Sequence, residues 1–379
     1  MIQSAYIHIP FCHQICHYCD FNKFFIQGQP VEAYLDSLEK EMELVLKQYP
    51  VNQPLKTIYV GGGTPTSLNP NQLKRLLEII QIHLPHSQDY EYTFEANPED
   101  LVESKLSLLK DFGVNRLSIG VQTFDDVVLK EIGRTHRKEE VLSGIRTAQE
   151  VGFENMSIDL MYSLPKQTLE SVKDSVDTAL ELQIPHLSLY SLIVEPKTVF
   201  YNQMKKGKLS LPSQDLEADM YDYIIETLFE NNYNQYEISN FAKKGFESRH
   251  NLTYWDNESY YGFGAGAHSY LGGTRRGNFG PLKKYMSKIE EGDFPVLEET
   301  PLSRKEQMEE ELFLGLRKTK GVSLSRFEQR YGENLLSVYK ESINELTEKE
   351  LVMIENDFIF LSKKGRFLGN EVFQAFLQD

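Results

Sequence analysis

A chain of 379 residues is longer than one hydrophobic core ordinarily organises, so a large catalytic-size unit with at least one smaller partner is expected. Its 40 Lys and Arg against 56 Asp and Glu leave a formal charge of -16, which argues against non-specific attraction to nucleic acid or to an anionic membrane. No stretch approaches the roughly 18 apolar residues of a membrane span, and the apolar N-terminal stretch has no basic residue before Lys23, so no secretory leader is expected.

No internal repeat organises the chain, which instead alternates strand with helix. Short β-rich apolar runs occupy 5–9, 56–60, 90–95, 115–121, 155–161 and 186–192. The first intervening helix shows in Tyr34, Leu35, Leu38, Met42, Val45 and Leu46, which recur at three and four. Further helices are predicted around 70–84, 99–112, 138–151 and 168–182. Six strands, each followed by a crossover helix, imply a parallel sheet, and right-handed crossovers would curl it into an open (β/α)6 array. A flat doubly wound sheet is the alternative architecture.

Beyond residue 195 the pattern changes. The basic run Met204 to Lys208 reads as a solvated loop, and a helix is predicted from about Ser213, an N-cap followed by Asp215 and Glu217 in the dipole-favoured first turn. We therefore assign 1–235 to the parallel-sheet core, 236–300 to an aromatic and glycine-rich segment, and 301–379 to a smaller unit of short helices. That last unit ends in an apparent hairpin, Leu351 to Glu355, then Asn356-Asp357, then Phe358 to Leu361, so a winged-helix-like domain is expected.

The chemistry concentrates after the first strand. The only 3 cysteines, Cys12, Cys16 and Cys19, fall within eight consecutive positions, a poor disulfide framework and a good ligand cluster in a reducing cytosol. Three thiolates on a four-iron cubane leave one iron open to bind something else. A zinc site completed by His8, His13 or His17 is the competing reading, disfavoured because zinc sites usually pair cysteines as CxxC or CxxxxC and have no need of the polar and glycine residues that follow. The carboxyl ends of the next strands, where parallel α/β folds place their sites, carry Gly61-Gly62-Gly63-Thr64-Pro65, Glu95, Gln122 and Asp159, with Arg134 beyond the fourth strand. A carboxylate ending an apolar strand is costly without a partner, which marks Glu95 and Asp159 as ligand contacts.

The runs Tyr6-Ile-His-Ile-Pro-Phe-Cys12-x-x-x-Cys16-x-Tyr18-Cys19, Gly-Gly-Gly-Thr-Pro, Glu-Ala-Asn-Pro and Arg-Leu-Ser-Ile-Gly-Val-Gln resemble the radical S-adenosylmethionine (SAM) family around oxygen-independent coproporphyrinogen III oxidase. The similarity covers nearly the whole chain. It implies a partial (β/α)6 barrel with the smaller C-terminal helical domain, a 4Fe-4S cluster on Cys12, Cys16 and Cys19, and SAM chelating the open iron. By matching motif the SAM contacts would be Tyr6, Tyr18, Gly62, Gly63, Thr64, Glu95, Gln122, Arg134 and Asp159.

Tyr236-Glu-Ile-Ser-Asn-Phe and His250-Asn-Leu-Thr-Tyr254-Trp255 resemble the HemW-type branch of that family, the haem chaperones. Phe21 stands where the oxidases carry a further cysteine, and only a few residues precede the first strand, where they have a longer arm. The resemblance thus implies haem as cargo for haem-accepting proteins, respiratory ones among them, in the cytoplasm; passing contact with a membrane surface stays open. Oxidase or related decarboxylase activity is the alternative. His250 is the expected axial ligand, with Tyr254 and Trp255 packing on the macrocycle. The bland reading makes His250 a satisfied hydrogen-bonder and the single Trp an interdomain core residue. Gly262 to Ser269 is expected against the barrel mouth or in a tight turn, with His268 as a second candidate for haem or substrate.

Overall fold

The computed structural model describes residues 2–377. Strands β1 (Ser4–Ile9), β2 (Leu55–Gly62), β3 (His86–Ala96), β4 (Arg116–Gln122), β5 (Asn155–Tyr162) and β6 (His186–Ser191) lie side by side in chain order, all parallel. Between them run α1 (Val31–Gln48), α2 (Pro70–His83), α3 (Glu103–Asp111), α4 (Lys138–Val151) and α5 (Leu169–Glu181). Each helix buries one apolar stripe on the sheet; α1 does so through Tyr34, Leu35, Leu38, Met42 and Val45. This is the open parallel α/β array expected from the strand pattern.

Local chemistry sets the helix ends. Asn69 caps α2, its side chain accepting from Asn71 N and Gln72 N, with Pro70 at the first helical position. The helix expected over 99–112 is split: Pro98–Asp100 makes one 3-10 turn, and α3 starts only after Val102, which is extended. The basic run is solvated, although Met204 and Lys205 belong to the last turn of a short helix, Val199–Lys205.

The sheet does not close on itself. After α6 (Gln214–Glu230), capped by Ser213 as predicted, β7 (Asn234–Gln235) and β8 (Asn240–Ala242) extend it antiparallel beyond β6. Helix α7 (Arg249–Trp255) then crosses to the other side, and β9 (Tyr261–Phe263) pairs parallel with β1. The 236–300 segment therefore flanks the six parallel strands on both sides, with β7 just ahead of it at the outer edge, and Tyr261, Phe263 and Tyr285 share the sheet's core. Residues 302–377 form a second core around α8 (Arg304–Gly315) and a three-stranded sheet. In that sheet β10 (Val322–Ser323), β11 (Val352–Glu355) and β12 (Phe358–Leu361) stand in the order β10, β12, β11, with the Asn356-Asp357 hairpin turn placed as expected.

One buried carboxylate ties α1 to the 236–300 segment. Glu41 accepts from Gly264 N (2.7 Å), Asn278 Nδ2 (2.6 Å) and Tyr285 Oη (2.6 Å). Burial pushes its carboxyl up to about 7, against the pull of those three donors. Glu41→Ala is expected to lower the urea midpoint with little change in m-value. It strands three buried donors, each costing about 1–3 kcal/mol.

Candidate functional site

The carboxyl ends of the parallel strands and the cysteine loop enclose a cavity of 410 Å³. Its wall follows from strand alternation. In β4, Leu117, Ile119 and Val121 are fully buried under the helices, while Ser118, Gly120 and Gln122 line the cavity. In β5 the inward set is Ser157, Asp159 and Met161, and in β6 it is His186, Ser188 and Tyr190. Arg116 lines the far end and is only 2% exposed, its Nη1 donating to Asn155 Oδ1 (2.6 Å) and Phe246 O (3.2 Å).

Each glycine of the triple-glycine turn has its own steric reason. A Cβ on Gly61 would stand 2.7 Å from the Glu95 carboxyl, and one on Gly63 would stand 2.9 Å from Cys12 Sγ. Gly62 has φ +118°, and a Cβ there would meet the His8 ring at 2.6 Å. The turn thus lets the chain pass between the carboxylate and the thiol. Glu95 accepts from Tyr59 Oη (2.7 Å) and Gly62 N (3.0 Å), and burial pushes its carboxyl up to about 7.

Asp159 accepts from Ser118 Oγ (3.0 Å) and Ser157 Oγ (3.3 Å), and burial raises its pKa as well. Ser157 is in turn bonded to His186 Nδ1 (2.7 Å), and His186 Nε2 to Tyr236 Oη (2.8 Å), which accepts from Ser248 N (3.2 Å). One consistent assignment has Tyr236 donating to His186, His186 to Ser157, and Ser157 to Asp159. Tyr236, singled out in the sequence, is therefore the outer end of a hydrogen-bonded chain that fixes Asp159.

A second chain joins the cysteine loop to Arg134. Thr64 Oγ1 donates to Cys12 Sγ (3.6 Å), and Asn97 Nδ2 donates to Thr64 Oγ1 (3.1 Å). Arg134 Nη1 donates to Asn97 Oδ1 (2.7 Å) and Nη2 to Tyr18 Oη (3.1 Å). Its buried Nε has no hydrogen-bond partner among the described residues, an orphan donor on a guanidinium that faces the cavity. Gln122 ends β4 at a bulge with φ +69°, a conformation costly for a non-glycine residue and frequent at functional sites.

Cys12, Cys16 and Cys19 are free thiols on the rim of this cavity, and burial pushes Cys12 up to about 11. Among the described residues no three His, Cys, Asp or Glu side chains gather tightly enough to hold a single metal ion. The histidines considered as zinc ligands are engaged elsewhere: His8 with Tyr6 Oη and Asn22 O, His17 with Glu131 O, and His13 lies 3.9 Å from Asp100. Three thiols spread along one loop over a polar cavity with an orphan cationic donor fit a multi-iron cluster with a ligand beside it better than a lone zinc.

Of the expected SAM residues, Tyr18, Gly62, Gly63, Thr64, Glu95, Gln122, Arg134 and Asp159 all line the cavity. Tyr6 does not; its hydroxyl donates to His8 Nδ1 (2.9 Å) behind the wall. The residues that sequence reasoning missed are Tyr59, Asn97, Arg116, Ser118, Ser157, His186 and Ser188. For Arg116 and Ser118 an alternation is visible in Arg-Leu-Ser-Ile-Gly-Val-Gln, but it marks only a shared face of the strand and not the partners that bring these residues to the site.

The residues expected at haem lie away from the cavity. His250 is 1% exposed, with Nδ1 bonded to Thr57 Oγ1 (2.8 Å), Nε2 bonded to Tyr254 Oη (2.8 Å), and its ring stacked on Tyr59. As placed, it offers no ring nitrogen to an iron, which is the bland reading of this histidine. Trp255 lies under the Arg317 guanidinium, beside α8, and with Tyr254 lines a separate recess of 340 Å³. His268 is exposed and does not line the cavity.

Residues 6–179 match the model of the Radical SAM superfamily, and residues 302–368 match that of the HemN C-terminal domain. A protein named Heme chaperone HemW from Bacillus subtilis (strain 168) is 54% identical over 99% of both chains. The chain belongs to the HemW family of radical SAM proteins. A second member, Heme chaperone HemW of Lactococcus lactis subsp. lactis, is 49% identical over 99% of this chain and 97% of its own. The solved structure of coproporphyrinogen III oxidase (HemN) from Escherichia coli, a radical SAM enzyme, superposes with a TM-score of 0.87 at 27% identity, covering 98% of this chain and 89% of that one. In this HemW-family chain Phe21 stands on the cavity rim, 62% exposed.

His250→Ala is expected to cost about 2–4 kcal/mol of stability, from the hole it leaves and the hydroxyls of Thr57 and Tyr254 it strands. A denaturant titration measures this, and the absorbance of added haem is expected to stay as in the parent.

Proposed function

We propose that this chain is a haem chaperone, a radical SAM protein that takes up haem and passes it to acceptor proteins. The observation that carries the reading is likeness over essentially the whole length, at 54% identity, to a protein bearing that name. Cys12, Cys16 and Cys19 would hold a 4Fe-4S cluster, and SAM would lie in the cavity beside it. Such a cluster keeps one iron free of protein ligands and supplies an electron to SAM when reduced.

The chain's own residues prepare that site. Thr64 donates to Cys12 Sγ, favouring the thiolate; Arg134, braced by Asn97 and Tyr18, keeps its Nε free for an anionic group such as a ligand carboxylate. Gly62 and Gly63 let the backbone approach the ligand, and Gln122 and Tyr18 complete the wall. Glu95 and Asp159, held by their own donors, face the middle of the cavity, where SAM's sulfonium cation would be stabilised.

Haem is cargo, and His250, engaged in the core, is not assigned to its iron here. The acceptors are proposed to include respiratory proteins, and the cytoplasm is the proposed compartment, since free thiols and an oxygen-labile cluster require reducing surroundings. Among the described residues no helix is long and apolar enough to cross a membrane. The second reading, a coproporphyrinogen oxidase, has the structural likeness in its favour. Against it, Phe21 occupies the position of the oxidases' additional cysteine.

After anaerobic reconstitution we expect about four irons per chain and charge-transfer absorbance that Cys12→Ala, Cys16→Ala or Cys19→Ala abolishes. Stoichiometric zinc in an iron-free folded protein would refute the cluster.

SAM binding is expected to tighten as pH rises through about 7, because burial keeps Glu95 protonated below that value and a bound cation favours its ionised form. Calorimetry in two buffers of different ionisation enthalpy would register the released proton, and Glu95→Gln would diminish it. Identical heats in both buffers would contradict this placement.

The purified protein is expected to bind haem and to yield no protoporphyrinogen from coproporphyrinogen III with SAM and a reductant. Multiple turnovers to protoporphyrinogen would overturn the chaperone reading in favour of the oxidase.

A further inference from the structure

We infer that Asn22 is a positioning residue for the cluster, latching the exit of the cysteine loop into a socket built by residues 264–280; the inference rests on the cluster proposed above. The loop is clipped where it starts and ends. Phe24 and Phe25 pair with Phe11 and Cys12, with Phe24 N donating to Pro10 O (2.7 Å) and Ile26 N to Cys12 O (2.9 Å). Its middle is held to the region before α4: His17 N donates to Ile132 O (3.0 Å), and Arg134 donates to Tyr18. Cys19 lies between that anchor and the next one, Asn22.

Asn22 is engaged on both its side chain and its backbone. Nδ2 donates to Ala265 O (2.8 Å) and to Gly280 O (3.0 Å), and the Asn22 carbonyl accepts from His8 Nε2 (2.8 Å). A carbonyl only accepts, so His8 carries its proton on Nε2 and accepts the Tyr6 hydroxyl's hydrogen bond at Nδ1. The socket fits closely. A Cβ on Gly266 would stand 2.8 Å from Asn22 Nδ2, and one on Gly280 would stand 3.1 Å from Asn22 Oδ1.

The walls of the socket are themselves pinned to the barrel. Gly264 N donates to Glu41, Asn278 donates to Glu41 and to Gly264 O (2.9 Å), and Ala265 N donates to Tyr34 Oη (3.2 Å). Tyr34 Oη in turn donates to His8 O (2.6 Å). Asn22 thus sits where β1, α1 and the 264–280 segment converge, and it transmits their rigidity to the last cysteine of the loop. Asn22 bonds no cysteine itself and acts through the link to Cys19, three positions earlier, as outer groups fix the orientation of ligands.

The test compares the parent with Asn22→Ala and Gly280→Ala, all full length and reconstituted anaerobically. Gly280 has an ordinary backbone conformation, and the three atoms nearest its virtual Cβ all belong to Asn22. Gly280→Ala therefore presses on the Asn22 side chain without altering the loop's own residues. Both variants are expected to lose iron to a chelator about 10- to 100-fold faster than the parent, with an altered electron paramagnetic resonance spectrum of the reduced cluster. Amide exchange in the iron-free variants is expected to quicken at residues 16–23 and to stay unchanged in β2–β6. If Asn22→Ala fails to fold, Gly280→Ala decides. Parent-like iron release and spectra in the variants would overturn this inference while leaving the cluster reading intact. A parent that takes up no iron would overturn both.

Discussion

A barrel interior offers its polar side chains no bulk water, so every inward polar group must meet another group or a ligand. Most of the site's architecture follows. Asp159 is tolerable because Ser118 and Ser157 donate to it, and Ser157 is fixed by His186, which is fixed by Tyr236. Glu95 is tolerable because Tyr59 and Gly62 donate to it. Arg134 spends two of its nitrogens on Asn97 and Tyr18 and is left with Nε. Among the described residues that line the cavity, the one buried side-chain atom left unmet within the protein is Arg134 Nε, beside the thiols. It is the physical mark of a ligand site rather than of a polar core.

The outward faces of the strands were legible in the sequence because they bury completely under helices, and unbroken sets such as Leu117, Ile119 and Val121 cannot be mistaken. The inward faces were legible only in part. Glu95, Gln122 and Asp159 stood out as charged or polar groups ending apolar strands. Ser118, Ser157 and Ser188 did not, because a serine is unremarkable until its partner across the sheet is known. Asn97 could be assigned only after Thr64 and Arg134 were seen on either side of it. These are relations between strands 30 or more residues apart, and no local period carries them.

Tyr6 and His250 show the opposite case, in which conspicuous residues serve the frame. Tyr6 fixes the ring of His8, and His250 bridges Thr57 and Tyr254 beneath Tyr59. An aromatic or a histidine in a strong motif reports that its position is constrained; whether the constraint is a ligand or a neighbour is a matter of which atoms remain free. In His250 none do. In Arg134 one does, and that difference separates the two as site candidates.

The 236–300 segment acts as a brace rather than as an appendage. It contributes β9 beside β1 and β8 beside β6, so the two open edges of the sheet are covered by one stretch of chain. The same stretch accepts Asn22 at the loop exit and anchors Glu41 of α1. Further along, Asp256 pairs with Lys318 and Arg326, and Arg275 with Glu310, so its attachment to the C-terminal unit is partly ionic, beside backbone hydrogen bonds at Tyr236 and Ile238. A strand edge, a buried carboxylate and the cysteine loop thus depend on residues that arrive in the chain well after the barrel is complete. The cysteine loop alone therefore does not make the site; its geometry is finished only when both edges of the sheet are closed off.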